Sequence, residues 1–313
     1  MAALVYQILS SSALVSLGLY HTVATTRNHL KSPQSYAAKP YHPFPLSSSS
    51  SNLNPPPHNR LRYLQLYAII ACLLVAVVHQ TLTSFDADPL LKGRTPVHRF
   101  TSLQFAASLF LFLVLTLALL LSECAPSVLP LPSDLVFGLS AALFYLQSLV
   151  SWGAASVQMS DLQAKCDSVS GRITAVASGL CVVLACQPRV FVADVGLGAA
   201  MCLQGLWVLQ TGLSLYVEAF IPEGCHRLLD VVNAVEGSTK CDLDESRFRA
   251  VAILDLVFLV HVMFVLLIVM VTYAVVAKSV GIRRLGSYEA LPNAAPSSDH
   301  NHIQMKALSG TQA

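Results

Sequence analysis

Between Ser102 and Ser122 no residue carries a charge, and Leu109–Leu121 reads LFLFLVLTLALLL. A run this long and apolar on every face cannot be a surface helix with one wet side; it needs apolar surroundings all round. Comparable runs recur at about Ala2–Thr25, Tyr63–Phe85, Leu135–Val157, Ile173–Gln187, Val195–Glu218 and Ala250–Ala277. Inside lipid the backbone must satisfy its own hydrogen bonds, and segments of this length do so as helices. The expected fold is therefore all-α: a polytopic membrane protein whose residues 1–281 form a seven-transmembrane helix bundle. Only 12% of the residues are charged, against about 25% in an ordinary soluble domain. A net charge of +2, spread along the chain, excludes a nucleic-acid surface. The lipid bilayer is the expected partner, with other membrane proteins beside it.

The fifth run, Ile173–Gln187, is short for a crossing. It reaches adequate length by taking in Gly171 or the residues after Pro188, with Arg172 and Arg189 snorkelling to the interfaces. Between the first two runs, residues 28–59 turn abruptly to Pro, Ser, Asn and Lys, including Ser47–Ser51 and Pro55–Pro57. Such a composition has little apolar surface to offset the entropy of ordering, so a disordered loop is expected there, and a flexible cytosolic tail over 282–313.

Charge fixes the expected orientation. With seven alternating spans and a non-cytosolic N-terminus, Arg27, Lys31, Lys39, Arg60 and Arg62 share one cytosolic loop. Lys278, Arg283 and Arg284 then follow the last span on the same side, as the positive-inside bias favours. The linker Ala219–Arg249 falls on the opposite, oxidising side, where Cys225 and Cys241 can form a disulfide. Cys72, Cys181, Cys186 and Cys202 lie within apolar runs and read as packing residues. The membrane itself is expected to be the plasma membrane or an endomembrane.

Val195–Glu218 carries Gly198, Gly205 and Gly212 at a spacing of seven. Two helical turns separate each glycine from the next, so the three lie near one face, where a neighbouring helix can approach closely. Trp207 in the same span reads as a packing residue. Polar side chains placed where lipid is expected form the candidate intramembrane site: His79, Gln104, Gln147, Gln204, Gln210, Asp255 and His261. Under the expected orientation most fall in the outer half of the bundle and can share one polar cavity. His79 or His261 can ligate a metal, Asp255 can orient an imidazole or neutralise a cation, and the glutamines can bond a polar ligand. The competing reading is a set of separate interhelical hydrogen bonds that hold the bundle in register. Asp255 and His261 are six residues apart and do not stack on one helix face. No HExxH, phosphate loop, nucleophile elbow or CxxC pair occurs, so no catalytic residue and no cofactor are expected.

LQGLWVLQTG at Leu203–Gly212, the polar linker after it, His261 in the last span and GLYH at Gly18–His21 together resemble the transmembrane protein 45 family. That family is also described as a domain of unknown function and includes plant virus-response proteins. The resemblance extends over most of residues 1–281 apart from the Pro/Ser-rich insertion. It carries over His21, Gln104, Gln204, Trp207, Gln210 and His261 as family positions, and implies membrane topology rather than mechanism. The chain departs from the family where Phe105, Ser108 and Leu109 follow Gln104, in place of a Gln-His-x-x-Met-Tyr feature. It departs again at Leu162–Val176, which lacks the family's histidines. The resemblance implies a stress- or pathogen-response membrane scaffold; a transporter or channel for a small polar solute or cation and a seven-span receptor are the competing functions.

Overall fold

The computed structural model describes residues 2–43, 63–85, 97–158, 160–227 and 239–287. Its helices are α1 (Ala2–Lys31), α2 (Leu64–Phe85), α3 (Val97–Cys124), α4 (Ser133–Val157), α5 (Asp161–Cys186), α6 (Phe191–Tyr216) and α7 (Asp244–Ser287). All seven contain a stretch long and apolar enough to cross a membrane. The chain is a multi-pass membrane protein with an all-α, seven-helix fold. The described strands are a single antiparallel pair in the α6–α7 linker, β1 (Cys225–Arg227) and β2 (Thr239–Cys241).

Large apolar side chains point outward, as a lipid-facing surface requires. Leu74, Val78 and Leu82 on α2 and Leu256, Met263 and Met270 on α7 are all exposed. Where the chain is packed, the dominant pairs are α4 with α5 and α1 with α6, followed by α2 with α3 and α5 with α6. α7 lies at the edge, touching α1, α6 and α5 over smaller areas.

The fifth helix is complete. Its first half is the polar stretch before Ile173, which starts as helix because the Ser160 side chain accepts a bond from the Gln163 backbone N–H and Asp161 occupies the first turn. An N-cap bond and an acidic residue at the positive helix end both stabilise that start. The sixth helix begins at Phe191 and so includes Asp194, outside the expected span. The seventh begins at Asp244, inside the expected linker, and runs to Ser287; residues 288–313 of the expected tail lie outside the described residues.

Residues 28–43 correct the expectation of disorder from Asn28 onward. α1 continues to Lys31, and a connecting segment, residues 32–43, then threads across one end of the bundle. Tyr36, Ala38, Tyr41 and His42 are buried. Ala38 packs among Phe137, Cys181, Leu184 and Leu197 from α4, α5 and α6, while Tyr41 packs against Leu66, Leu119 and Val136 from α2, α3 and α4. The Ala38 N–H donates to the Pro188 carbonyl at 2.7 Å, and the Tyr41 hydroxyl to Glu123 Oε2 at 2.7 Å. Burial and directed bonds on several helices offset the ordering entropy that the Pro/Ser composition alone leaves uncompensated. Residues 44–59 of the expected loop lie outside the described residues.

The glycine face of α6 meets α1. A methyl group added at Gly205 would lie 2.9 Å from the Val15 backbone nitrogen, and one at Gly212 would lie 2.9 Å from Gln7 Cβ. At Gly198 it would collide with the Thr22 hydroxyl. α1 answers with its own glycine: a methyl at Gly18 would lie 2.7 Å from the Gly198 carbonyl oxygen. Helix α6 therefore runs antiparallel to α1 in near backbone contact. A Gly205→Ile substitution is expected to lower stability by about 1–3 kcal/mol through overpacking. Gly138→Ala, where no atom lies within 4 Å, is expected to be neutral or stabilising by up to about 1 kcal/mol. Melting midpoints of the two variants in one membrane mimic check this, and equal midpoints would remove the seam's claimed role.

Candidate polar site at the α1–α6 contact

At one end of that seam, charged and polar side chains from three segments converge. α1 presents His21, Thr25 and Asn28, at i, i+4 and i+7 along one helix face. The connecting segment contributes Tyr36 and His42. α6 contributes Asp194 from its first turn, where the positive end of the helix dipole favours a carboxylate.

Asp194 is fully buried, and both its oxygens are engaged. His21 Nε2 is 2.7 Å from Oδ1. The Tyr36 hydroxyl donates to Oδ2 at 2.5 Å, and the Thr25 hydroxyl donates to the same oxygen at 3.2 Å. His42 Nε2 lies 3.2 Å from Thr25 Oγ1, and Asn28 Nδ2 lies 3.4 Å from His42 Nδ1. With Thr25 donating to Asp194, its oxygen is left to accept from His42 Nε2–H, and Nδ1 is left to accept from Asn28. One donor–acceptor chain therefore runs from Asn28 through His42 and Thr25 to the carboxylate. The His42 backbone is held as well: its N–H donates to Gln65 Oε1 at 3.0 Å, and its carbonyl accepts from the Tyr20 hydroxyl at 3.0 Å.

Burial and charge set the protonation of the two connecting-segment groups. Burial lowers the His42 pKa to about 4; the nearby His21 adds to the shift, Asp194 opposes it and Lys39 adds to it. Neutral His42 is thereby favoured. Burial first, and then the negative charge of Asp194, raise the Tyr36 pKa, keeping its phenol protonated as a donor. His21, His42 and Asp194 each offer one ligand atom, and these atoms lie within 4.8 Å of one another.

The residues singled out in the sequence are placed differently. His79 stacks on Tyr6 of α1 with ring centroids 3.7 Å apart. Gln104 is exposed on α3. Gln147 accepts from Ser108, Gln204 donates to Ser170 Oγ at 2.7 Å, and Gln210 donates to Ser214 Oγ at 3.0 Å. Asp255 pairs with Lys165 of α5 at 2.7 Å. His261 Nδ1 lies 2.7 Å from the Val257 carbonyl of its own helix, and its ring meets Trp207 edge-on. Trp207 is fully buried and donates from Nε1 to the Cys166 carbonyl at 3.0 Å. Neither His79 nor His261 belongs to a group of three ligating side chains among the described residues. Cys225 and Cys241 are cross-strand neighbours joined by a disulfide.

Of the converging set, the sequence pointed only to His21. Asp194 stands one residue before the apolar run that starts at Val195, so hydropathy alone leaves it out of the span. Tyr36 and His42 were missed because they fell in the Pro/Ser-rich stretch. The usable signals were the polar face of α1, a lone acid at the head of an apolar run, and two tyrosines and a histidine in SYAAKPYHP, Ser35–Pro43.

Residues 133–274, from the start of α4 into α7, match the family described as "Family of unknown function (DUF716)". No curated protein matches the chain. The matched region contains Asp194 and the glycine face of α6, while His21, Tyr36 and His42 lie before it.

Removing the carboxylate strands three buried partners. Asp194→Ala is expected to cost about 3–5 kcal/mol, and Tyr36→Phe, which deletes one donor, about 1–3 kcal/mol. Denaturant unfolding followed through amide exchange at Ala38 and His42 reads both, and equal losses would contradict the central place of Asp194. A pH effect follows with a definite sign. Because the folded pKa of His42 is depressed, its contribution to stability is complete above about pH 6.5 and is lost as pH falls toward about 4. Exchange protection of residues 36–43, corrected for intrinsic rates, is expected to fall between about pH 7 and pH 4.5. His42→Gln is expected to flatten that dependence.

Proposed function

We infer that this multi-pass membrane protein acts as a membrane scaffold, holding partner proteins in the bilayer rather than passing a solute through it. The supporting observation is the pairing of its intramembrane polar groups. A transport route for a small polar solute or cation needs His79, Gln210, Asp255 and His261 to line a common passage. Instead Asp255 is neutralised by Lys165, Gln210 and His261 bond within their own helices, and His79 is covered by Tyr6. With Asp255, Gln210 and His261 each bonded to a neighbour of its own, these groups stabilise a fixed bundle rather than line a shared passage. The outward apolar face of α7, with Met263, Phe264 and Met270 exposed, provides a surface for lipid or for helices of partner proteins. The resemblance to the transmembrane protein 45 family supplies a stress or pathogen response as the setting.

The N-terminus is non-cytosolic and the C-terminus cytosolic in this reading. The Cys225–Cys241 bridge supports it, because the α6–α7 linker then faces an oxidising compartment. The cationic residues Arg27, Lys31 and Lys39 then face the cytosol.

Three measurements test the reading. Photocrosslinkers placed at Met263 and Met270 in intact cells are expected to give discrete protein adducts; adducts with lipid alone would sink the scaffold. Reconstituted vesicles are expected to take up rubidium, choline and glucose no faster than protein-free vesicles, and uptake that His261→Ala abolishes would establish transport instead. For orientation, an impermeant maleimide applied outside sealed cells or to the lumenal face of opened vesicles should label Cys225 and Cys241 only after reduction. Labelling from the cytosolic side would reverse the topology.

A further inference from the structure

The buried cluster at the α1–α6 seam contains more than a register-setting hydrogen bond. Two imidazoles and a carboxylate from three separate segments are brought together with 3%, 4% and 0% exposure for His21, His42 and Asp194. Their ligand atoms lie within 4.8 Å of one another. In a tetrahedral zinc site with bonds of about 2.1 Å, donor atoms stand about 3.4 Å apart, so side-chain rotation closes the set around an ion.

The surroundings fit the same chemistry. Asp194 Oδ2 holds the Tyr36 and Thr25 hydroxyls, while among the described residues Oδ1 bonds only the His21 ring nitrogen. An ion replacing the proton shared at that 2.7 Å contact leaves the two hydroxyl bonds in place to orient the carboxylate. Asn28 stands at His42 Nδ1, the position from which an outer-shell group fixes the tautomer and orientation of a ligating ring. An amide flip of Asn28 turns its oxygen to accept from Nδ1–H when Nε2 carries the ion. Two nitrogens and one carboxylate oxygen favour a borderline first-row ion over magnesium or calcium, which prefer all-oxygen shells.

We propose that His21, His42 and Asp194 form a binding site for a first-row divalent transition-metal ion, zinc by its donor set, which staples the connecting segment to α1 and α6. On binding, the His42 Nε2 proton moves to Nδ1 beside Asn28, the proton shared by His21 Nε2 and Asp194 Oδ1 leaves to solvent, and no group changes oxidation state. The site is buried, and its three protein ligands leave the fourth tetrahedral position to a water molecule. It is independent of the scaffold reading: a protein that transports a solute could carry it equally well.

The test uses the full chain in nanodiscs, stripped with chelator and then given Zn²⁺ alone. His300 and His302, a histidine pair in the C-terminal tail, are replaced in the parent by H300A and H302A so that tail binding is not counted. After gel filtration the parent is expected to retain one zinc per chain and to melt at a higher temperature than the stripped protein. His42→Ala and Asp194→Asn are expected to reduce retained zinc to background, and Asn28→Ala to weaken binding about tenfold. Asn28→Ala and His226→Ala, a change at an exposed linker histidine, keep the comparison informative if a ligand variant fails to fold. Failure of the parent to retain zinc would overturn the proposal. So would unchanged retention in Asn28→Ala together with His42→Ala, or equal retention of magnesium or calcium.

Discussion

The close approach of α1 to α6 is the contact on which the rest of this structure depends. Gly198, Gly205 and Gly212 on one helix and Gly18 on the other bring the two backbones to separations that a methyl group would not permit. In lipid there is little hydrophobic drive between helices, so packing of this kind and the polar bonds it permits must hold the pair. The seam is also what places His21 against Asp194. A wider spacing would leave a carboxylate buried at the head of α6 without the cation or donors that its burial demands.

From that buried carboxylate the order of the connecting segment follows. Asp194 needs donors for both oxygens, and α1 alone supplies only His21 and Thr25. Tyr36 reaches in from residues 32–43 to complete the set, and Ala38 and Tyr41 fill apolar gaps at the same end of the bundle. The segment is therefore held by polar and apolar contacts together. At the opposite end of α6 the linker is held covalently, by Cys225–Cys241. The bundle thus has one end fastened by a polar cluster and the other by a disulfide, with apolar helix surface between.

Much of the fold was legible without coordinates because membrane spans announce themselves by length and apolarity alone. The seven spans, the glycine face and the cross-strand cysteines of the linker are all local or short-range features. The fifth helix and the starts of α6 and α7 were less legible, since polar first turns such as Ser160–Asp161 and Asp244–Glu245 belong to helices but read as loop in a hydropathy pattern. The polar site was hardest. Side chains that share a bilayer depth in the sequence can face different neighbours, and Asp255 found Lys165 across a helix interface rather than His261 on its own helix.

Seven membrane-spanning helices, and a face of the sixth that must meet a close neighbour, can be read from the residues alone, because lipid imposes those requirements on every segment independently. The folded packing makes that neighbour α1. It alone brought His21, Thr25, Tyr36 and His42, distant in sequence from Asp194, around a single buried carboxylate. Which donors surround a buried charge depends on how whole segments are packed, and no local pattern of residues carries that information.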